Sequence, residues 1–246
     1  RRFDVIALQE VKSIIRALRD MLKLLGENWS FILTDVTEGS AGNGERMAFV
    51  FDTRRIKLSG LAGELVVPEE RLNSIEQEAL RKQFARTPYA VSFRSETTTF
   101  ILVTLHILYG KNSKERIPEL KAIADWMADW ASDINAYHHN LIALGDFNVD
   151  ERGDELHQTF ISSGLFIPND LGKVTRSIFD KEKFYDHIAW FLGRRGVPEL
   201  SMDYSKGGNF DFLPHVFKER NLTTHQVSWM ISDHYPLWAE FSTRQE

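Results

Sequence analysis

The sequence predicts an α/β protein with two strand-rich halves. Strand-length apolar runs recur along the whole chain, long helix-period stretches are few, and the connections are too irregular for a simple parallel strand–helix–strand series. Phe3–Leu8 is apolar, contains β-branched residues and is short enough for a buried strand. Immediately after it, Val11, Ile14, Ile15, Leu18, Leu22 and Leu25 fall on one helical face that closes at Gly26. Further strands are expected at Phe31–Leu33, Met47–Phe51, Tyr89–Phe93, Phe100–Leu105, Leu141–Leu144, Ile188–Phe191 and Leu237–Phe241, most of them bounded by Gly, Pro, Asp or Asn. A second helix is expected to open near Pro118, with Leu120, Ile123, Ala124, Met127 and Trp130 at helical spacing. A third lies around Asp154–Ser163, where Leu156, Phe160 and Ile161 recur before Gly164. The Met, Trp and Phe residues of these helices read as core.

At 246 residues and 43% hydrophobic, the chain can bury one large core. No linker, internal repeat or low-complexity tract divides it, so residues 1–246 read as one domain. A formal net charge of −5 gives no global basic field, and any polyanion must be gripped locally. Basic clusters at Arg54, Arg55 and Lys57, at Arg81, Lys82 and Arg86, and at Arg194 and Arg195 each read singly as solvated faces. The absence of cysteine excludes disulfides, thiolate catalysis and thiolate-bound zinc. No run has the length of a membrane span. Arg1-Arg2-Phe3-Asp4 carries no signal-type apolar core and reads as a fragment boundary.

Acids, amides and imidazoles cluster where apolar strands end. Asp146 and Asn148 are two apart, so an extended backbone would aim both at one ligand while Phe147 turns into the core. The competing reading is an Asx turn that merely ends the strand. Glu10 lies at a strand-to-helix junction, where it could serve the helix dipole or act as a hard oxygen ligand suited to Mg²⁺, Mn²⁺ or Ca²⁺, alongside Asp233. His106 ends an apolar run and could equally be a hydrogen-bonded core histidine. His234 has polar, turn-forming neighbours, and a distant acid such as Asp186 could orient its imidazole. His187 would point away from Asp186 and reads as structural.

In this order, Leu8-Gln9-Glu10-Val11, Thr104-Leu105-His106, Gly145-Asp146-Phe147-Asn148, Tyr185-Asp186-His187-Ile188 and Ser232-Asp233-His234-Tyr235-Pro236 resemble the endonuclease/exonuclease/phosphatase superfamily, and among its members the nucleases of the deoxyribonuclease I type. Arg86-Thr87-Pro88 and Arg46–Phe51 resemble further segments of that group. The resemblance implies a four-layer α/β sandwich of two packed, mainly antiparallel sheets flanked by helices, with the active site at one end of the strands. It implies Glu10 as principal metal ligand with Asp233 nearby, Asp146 and Asn148 orienting water and phosphate, Asp186 paired with His234, and His106 donating to a phosphate oxygen or the leaving group. His234 is the first choice as general base, with Asp146 the other candidate. Two departures accompany the match. The group's first strand, which bears an Asn, would precede Arg1, and Thr87 stands where an acid would partner His106.

The implied activity is Mg²⁺-dependent phosphodiester hydrolysis, in first place on DNA cut internally, with Lys12 and Arg86 against the phosphate backbone. A phosphomonoesterase or phospholipid or inositol-phosphate hydrolase on the same scaffold is the alternative, and a non-catalytic binding module the second.

Overall fold

In the computed structural model of the chain, the described residues are 2–37, 44–66, 84–133, 135–193 and 198–243. Arg81, Lys82, Arg194 and Arg195 lie outside them. A six-stranded sheet runs in the order β4 (Lys57–Glu64), β5 (Tyr89–Ser95), β6 (Thr98–His106), β7 (Leu141–Asp146), β9 (Asp186–Phe191), β8 (Leu165–Phe166). Its pairs are antiparallel except β6 with β7. That parallel pair needs a crossover, supplied by helix α2 (Ser113–Ser132). Against this sheet pack a three-stranded sheet, β1 (Val5–Lys12), β3 (Glu45–Asp52), β2 (Trp29–Leu33), and the antiparallel pair β10 (Met202–Asn209) and β11 (Leu237–Thr243). Helices α1 (Arg16–Leu25), α3 (Glu155–Ile161) and α4 (Thr224–Met230) are the other α-helices among the described residues.

The period of two along β6 explains the layering. Phe100 and Leu102 face β3, β5 and Trp190 in the core between the sheets, whereas Ile101, Val103 and Leu105 face α2 and α3 on the other side. Both faces of β6 are buried, which is why Phe100–Leu105 reads as an unbroken apolar run. A third cluster, Leu18, Trp29, Ala48 and Val50, seals α1 to the smaller sheet. The result is four layers, helix–sheet–sheet–helix, each full burial of a large apolar side chain contributing about 1.5–3 kcal/mol.

Several boundaries differ from the sequence-based expectation. β1 continues through Lys12, so Val11 is strand and α1 begins only at Arg16, leaving Ile14 exposed. Helix α2 opens five residues before Pro118, because the Asn112 side chain caps it by accepting the Lys114 N–H; Pro118 is carried inside the helix. Strands β4 and β10 hold Gly and Lys in place of an apolar run, and α4 is seven residues fixed by a Thr223–Gln226 capping box.

His187, on β9, is packed among the rings of Phe147, Phe160, Phe184 and His157. Burial, and then the charges of Arg176 and His157, hold its imidazole well below the ordinary value. A depressed folded-state value contributes stability that is full above about pH 6.5 and is lost as pH falls toward the folded value, at up to ~1.4 kcal/mol per pH unit. His187→Leu should therefore shed one proton's worth of acid sensitivity. Urea melts at pH 7 and pH 5 test this, and equal acid losses in both proteins would refute it.

Candidate active site

Five chain segments meet at one end of the sandwich. His106, Asp146 and Asp186 sit side by side on β6, β7 and β9, as register partners across two strand pairs. The approach of β6 and β7 just before them is close. A Cβ on Gly145, whose φ is +134°, would stand 2.1 Å from the Leu105 carbonyl oxygen, so the position admits only glycine.

Glu10 is aimed by a bulge. The β1–β3 register shifts between Leu8 and Val11, Glu10 takes a positive φ of 56°, and Gln9 is anchored by its Nε2 donating to Thr104 Oγ1 at 2.7 Å. The Glu10 carboxylate thereby leaves the ladder and stands 4.0 Å from His106 Nε2, which is 3.6 Å from Asp146 Oδ2. A non-glycine residue in this backbone region costs on the order of 1–3 kcal/mol, a strain typical of functional positions.

His234 Nδ1 lies 2.8 Å from Asp186 Oδ2, and its ring stacks on Tyr185 with centroids 5.3 Å apart. Burial pulls the imidazole down, but the Asp186 hydrogen bond and the charges of Asp186, Asp146 and Asp233 outweigh it and raise it. Burial, and then the Asp186 charge, raise Asp146. His106 is pushed down to about 3 by burial, Arg86 and His234, so its imidazole is neutral. Its Nδ1 is buried without a hydrogen-bond partner among the described residues, so no described acid orients it through that nitrogen.

The extended geometry expected for Asp146-Phe147-Asn148 is not what forms. Asn148 takes a φ of +50°, its N–H donates to Asp146 Oδ1 at 2.8 Å, and its side-chain amide donates to the Ile107 carbonyl at 2.6 Å. The Asx turn prevails because it satisfies buried polar groups that an extended strand end would leave open. Asp146 still faces His106, whereas Asn148 fixes the neighbouring loop.

Arg86 and Lys12 meet at an unpredicted acid. Glu45 is buried, accepts from Arg86 Nε at 2.9 Å, and stands 3.3 Å from Lys12 Nζ. Arg86 is itself buried, while the Lys12 side chain is 71% exposed despite its contact with Glu45. An acid opening the apolar β3 run was the available signal for Glu45. Arg176, also unpredicted, is 1% exposed and staples the two halves of the dyad: its Nε donates to the Asp186 carbonyl at 2.8 Å and its own carbonyl accepts from Tyr235 N. No sequence signal marks it.

Among the described residues, two groups of side chains bring ligand atoms within 4.8 Å of one another: Glu10, Glu45 and His106, and Asp146, Asp186 and His234. The first group, with Glu10 at its exposed edge, has donors that fit a hard divalent cation, whereas in the second His234 is engaged with Asp186. Glu10 is raised by burial and by the charges of Glu45 and Asp233, which is the condition that a bound cation relieves. Glu45 has its oxygens on Arg86 and Lys12, so Glu10 is the carboxylate best placed to accept the ion.

Among solved structures, an endonuclease/exonuclease/phosphatase family protein from Bacteroides thetaiotaomicron matches 100% of this chain and 86% of its own at 20% identity and a TM-score of 0.66. The human Nocturnin catalytic domain with bound sulfate matches 98% and 81% at 16% identity and 0.65. D. rerio TDP2 complexed with single strand DNA product matches 98% and 86% at 14% identity and 0.58. The chain therefore has the deoxyribonuclease I-like fold of endonuclease/exonuclease/phosphatase proteins, as its motifs implied. In sequence it is similar to a protein named deoxyribonuclease from Thioalkalivibrio sp. (strain K90mix), at 31% identity over 161 residues. That match takes in 62% of this chain and spans 40% of the relative's length. No family model matches the chain.

Proposed function

We propose that the chain is a divalent-metal-dependent phosphodiesterase acting on DNA. The observation that carries this reading is the hydrogen-bonded Asp186–His234 pair facing Asp146 and His106, with the bulged Glu10 opposite. Support comes also from the fold shared with a TDP2 that holds a DNA product and from the similarity to a protein named deoxyribonuclease. A metal ion would be held by Glu10 and Asp233, and would offset charge on the phosphate.

The electrostatics favour Asp146 over His234 as the group that takes a proton from the attacking water. An imidazole held protonated by Asp186 has no site left for that proton, whereas the buried Asp146 carboxylate, raised toward neutrality, is a matched base. The His234 cation is then a donor to the phosphate oxygens, where negative charge concentrates in the transition state. Neutral His106 can donate one N–H to the same group or to the leaving oxygen. Lys12 would contact the backbone phosphate, and Glu45 holds Arg86 in place behind it.

Plasmid DNA, RNA, sphingomyelin and inositol polyphosphates assayed side by side with Mg²⁺ test the substrate. Plasmid should be nicked, with rates falling as salt rises, because each phosphate contact comes from a local cation. Turnover of sphingomyelin or inositol polyphosphate with plasmid left intact would overturn the DNA assignment. Glu10→Gln should lower Mg²⁺-dependent turnover about 100-fold or more. Hydrolysis that survives a chelator would refute the metal requirement.

A further inference from the structure

Two buried ionisable side chains on the first turns of α2 have no part in the chemistry so far, and burial raises the Glu119 carboxyl to about 7. Arg116 and Glu119 lie three residues apart, 4% and 5% exposed. Their nearness suggests an ion pair, yet among the described residues they do not bond to each other. Burying a charge is costly unless it is compensated, and each finds its compensation in a different loop of the active site.

Glu119 Oε1 accepts from Ala85 N at 3.2 Å and Oε2 from Leu108 N at 3.1 Å. Ala85 immediately precedes Arg86, and Leu108 follows His106 by two residues. Arg116 donates from Nη2 to Asp150 Oδ2 at 2.8 Å and from Nη1 to the Asn148 carbonyl. Asn148 returns the connection by donating to the Ile107 carbonyl, and Ile107 N donates to the Asp146 carbonyl at 2.9 Å. The bonds form a closed circuit: α2 holds the loop after β6 and the loop after β7, and these two loops hold each other. Among the described residues Arg116 Nε is buried without a partner, an open cost that packing alone would remove by placing an apolar residue there.

We infer that Arg116 and Glu119 are positioning residues, through which the start of α2 holds Arg86, His106 and the Asp146–Asn148 turn in reacting register. This rests on the phosphodiesterase reading. Neither residue touches the phosphate; both act through the loops they bind.

Glu119→Gln is nearly isosteric, but its amide nitrogen cannot accept a bond, so either Ala85 N or Leu108 N is released. The variant should fold, exchange one of those two amide hydrogens at least about tenfold faster, and lose on the order of 10- to 100-fold in kcat on bis-p-nitrophenyl phosphate with KM nearly unchanged. In a His106→Ala background the same change should cost much less, because the group being positioned is gone. Arg116→Lys, which keeps the charge but loses the planar fork whose two nitrogens reach Asn148 and Asp150, gives a second arm should Glu119→Gln fail to fold. Folded variants with wild-type kcat, unchanged amide exchange, or an equal loss with and without His106 would each overturn the inference. A wild-type chain that hydrolyses no phosphoester would instead overturn the functional reading, and the inference with it.

Discussion

On the proposed phosphodiesterase reading, removing the His234 imidazole, as in His234→Ala, is expected to lower kcat about 1,000-fold, and Asp186→Asn nearly as much. General acid–base or charged-donor groups are worth roughly 100- to 10,000-fold. In the proposed mechanism the 2.8 Å bond between His234 Nδ1 and Asp186 Oδ2 joins the two into one unit. Without Asp186, the imidazole loses the partner that holds its proton and its ring orientation. Without His234, the Asp186 carboxylate is left beside Asp146 with no cation between them. The double variant should accordingly be no slower than the worse single one. Losses that multiply in the double variant would mean that the two side chains act separately, and the dyad would have to be abandoned.

The largest expected effect on stability belongs to Gly145→Ala. The added methyl would stand 2.1 Å from the Leu105 carbonyl oxygen, and the backbone φ of +134° is strained for any L side chain. Overpacking and backbone strain together suggest a loss on the order of 3–5 kcal/mol, a large share of the stability of an ordinary domain. At this chain length that corresponds to a melting temperature lower by roughly 10 °C. The obstacle is backbone in the central parallel pair of the sheet, so β6 and β7 must separate to relieve it, and His106 and Asp146 lie one residue beyond. Calorimetry of the purified variant is the direct check, and a melting temperature near the wild-type value would show that the two strands can move apart cheaply.

Much of this architecture is legible in the amino-acid order. Buried strands such as β6 and β7 declare themselves because both faces need apolar residues, and the ordered acids and histidines at strand ends point to one cleft. The misses share physical causes. β4 and β10 have no continuous apolar run because each keeps exposed positions along its length. The extension of β1 to Lys12 was hidden because Val11 also fits the helical face of α1. Glu45, Arg116, Glu119 and Arg176 gain their roles from partners 10 to 59 residues away, through bonds that no local pattern encodes. Asp146-Phe147-Asn148 reads either as an extended strand end or as an Asx turn, and the bond to the Ile107 carbonyl, which holds the turn, has no local signal.

The placement of His106, Asp146 and Asp186 on three adjacent strands has a kinetic consequence. Asp186 and His234 are 48 residues apart in sequence, and the β1 bulge is fixed through a Gln9–Thr104 bond spanning 95 residues. Such high contact order places site assembly among the slow, non-local steps of folding. An intermediate that has formed only its helices and local hairpins would have no working fragment of the centre, so these convergent acids meet only once the whole sandwich has closed around them.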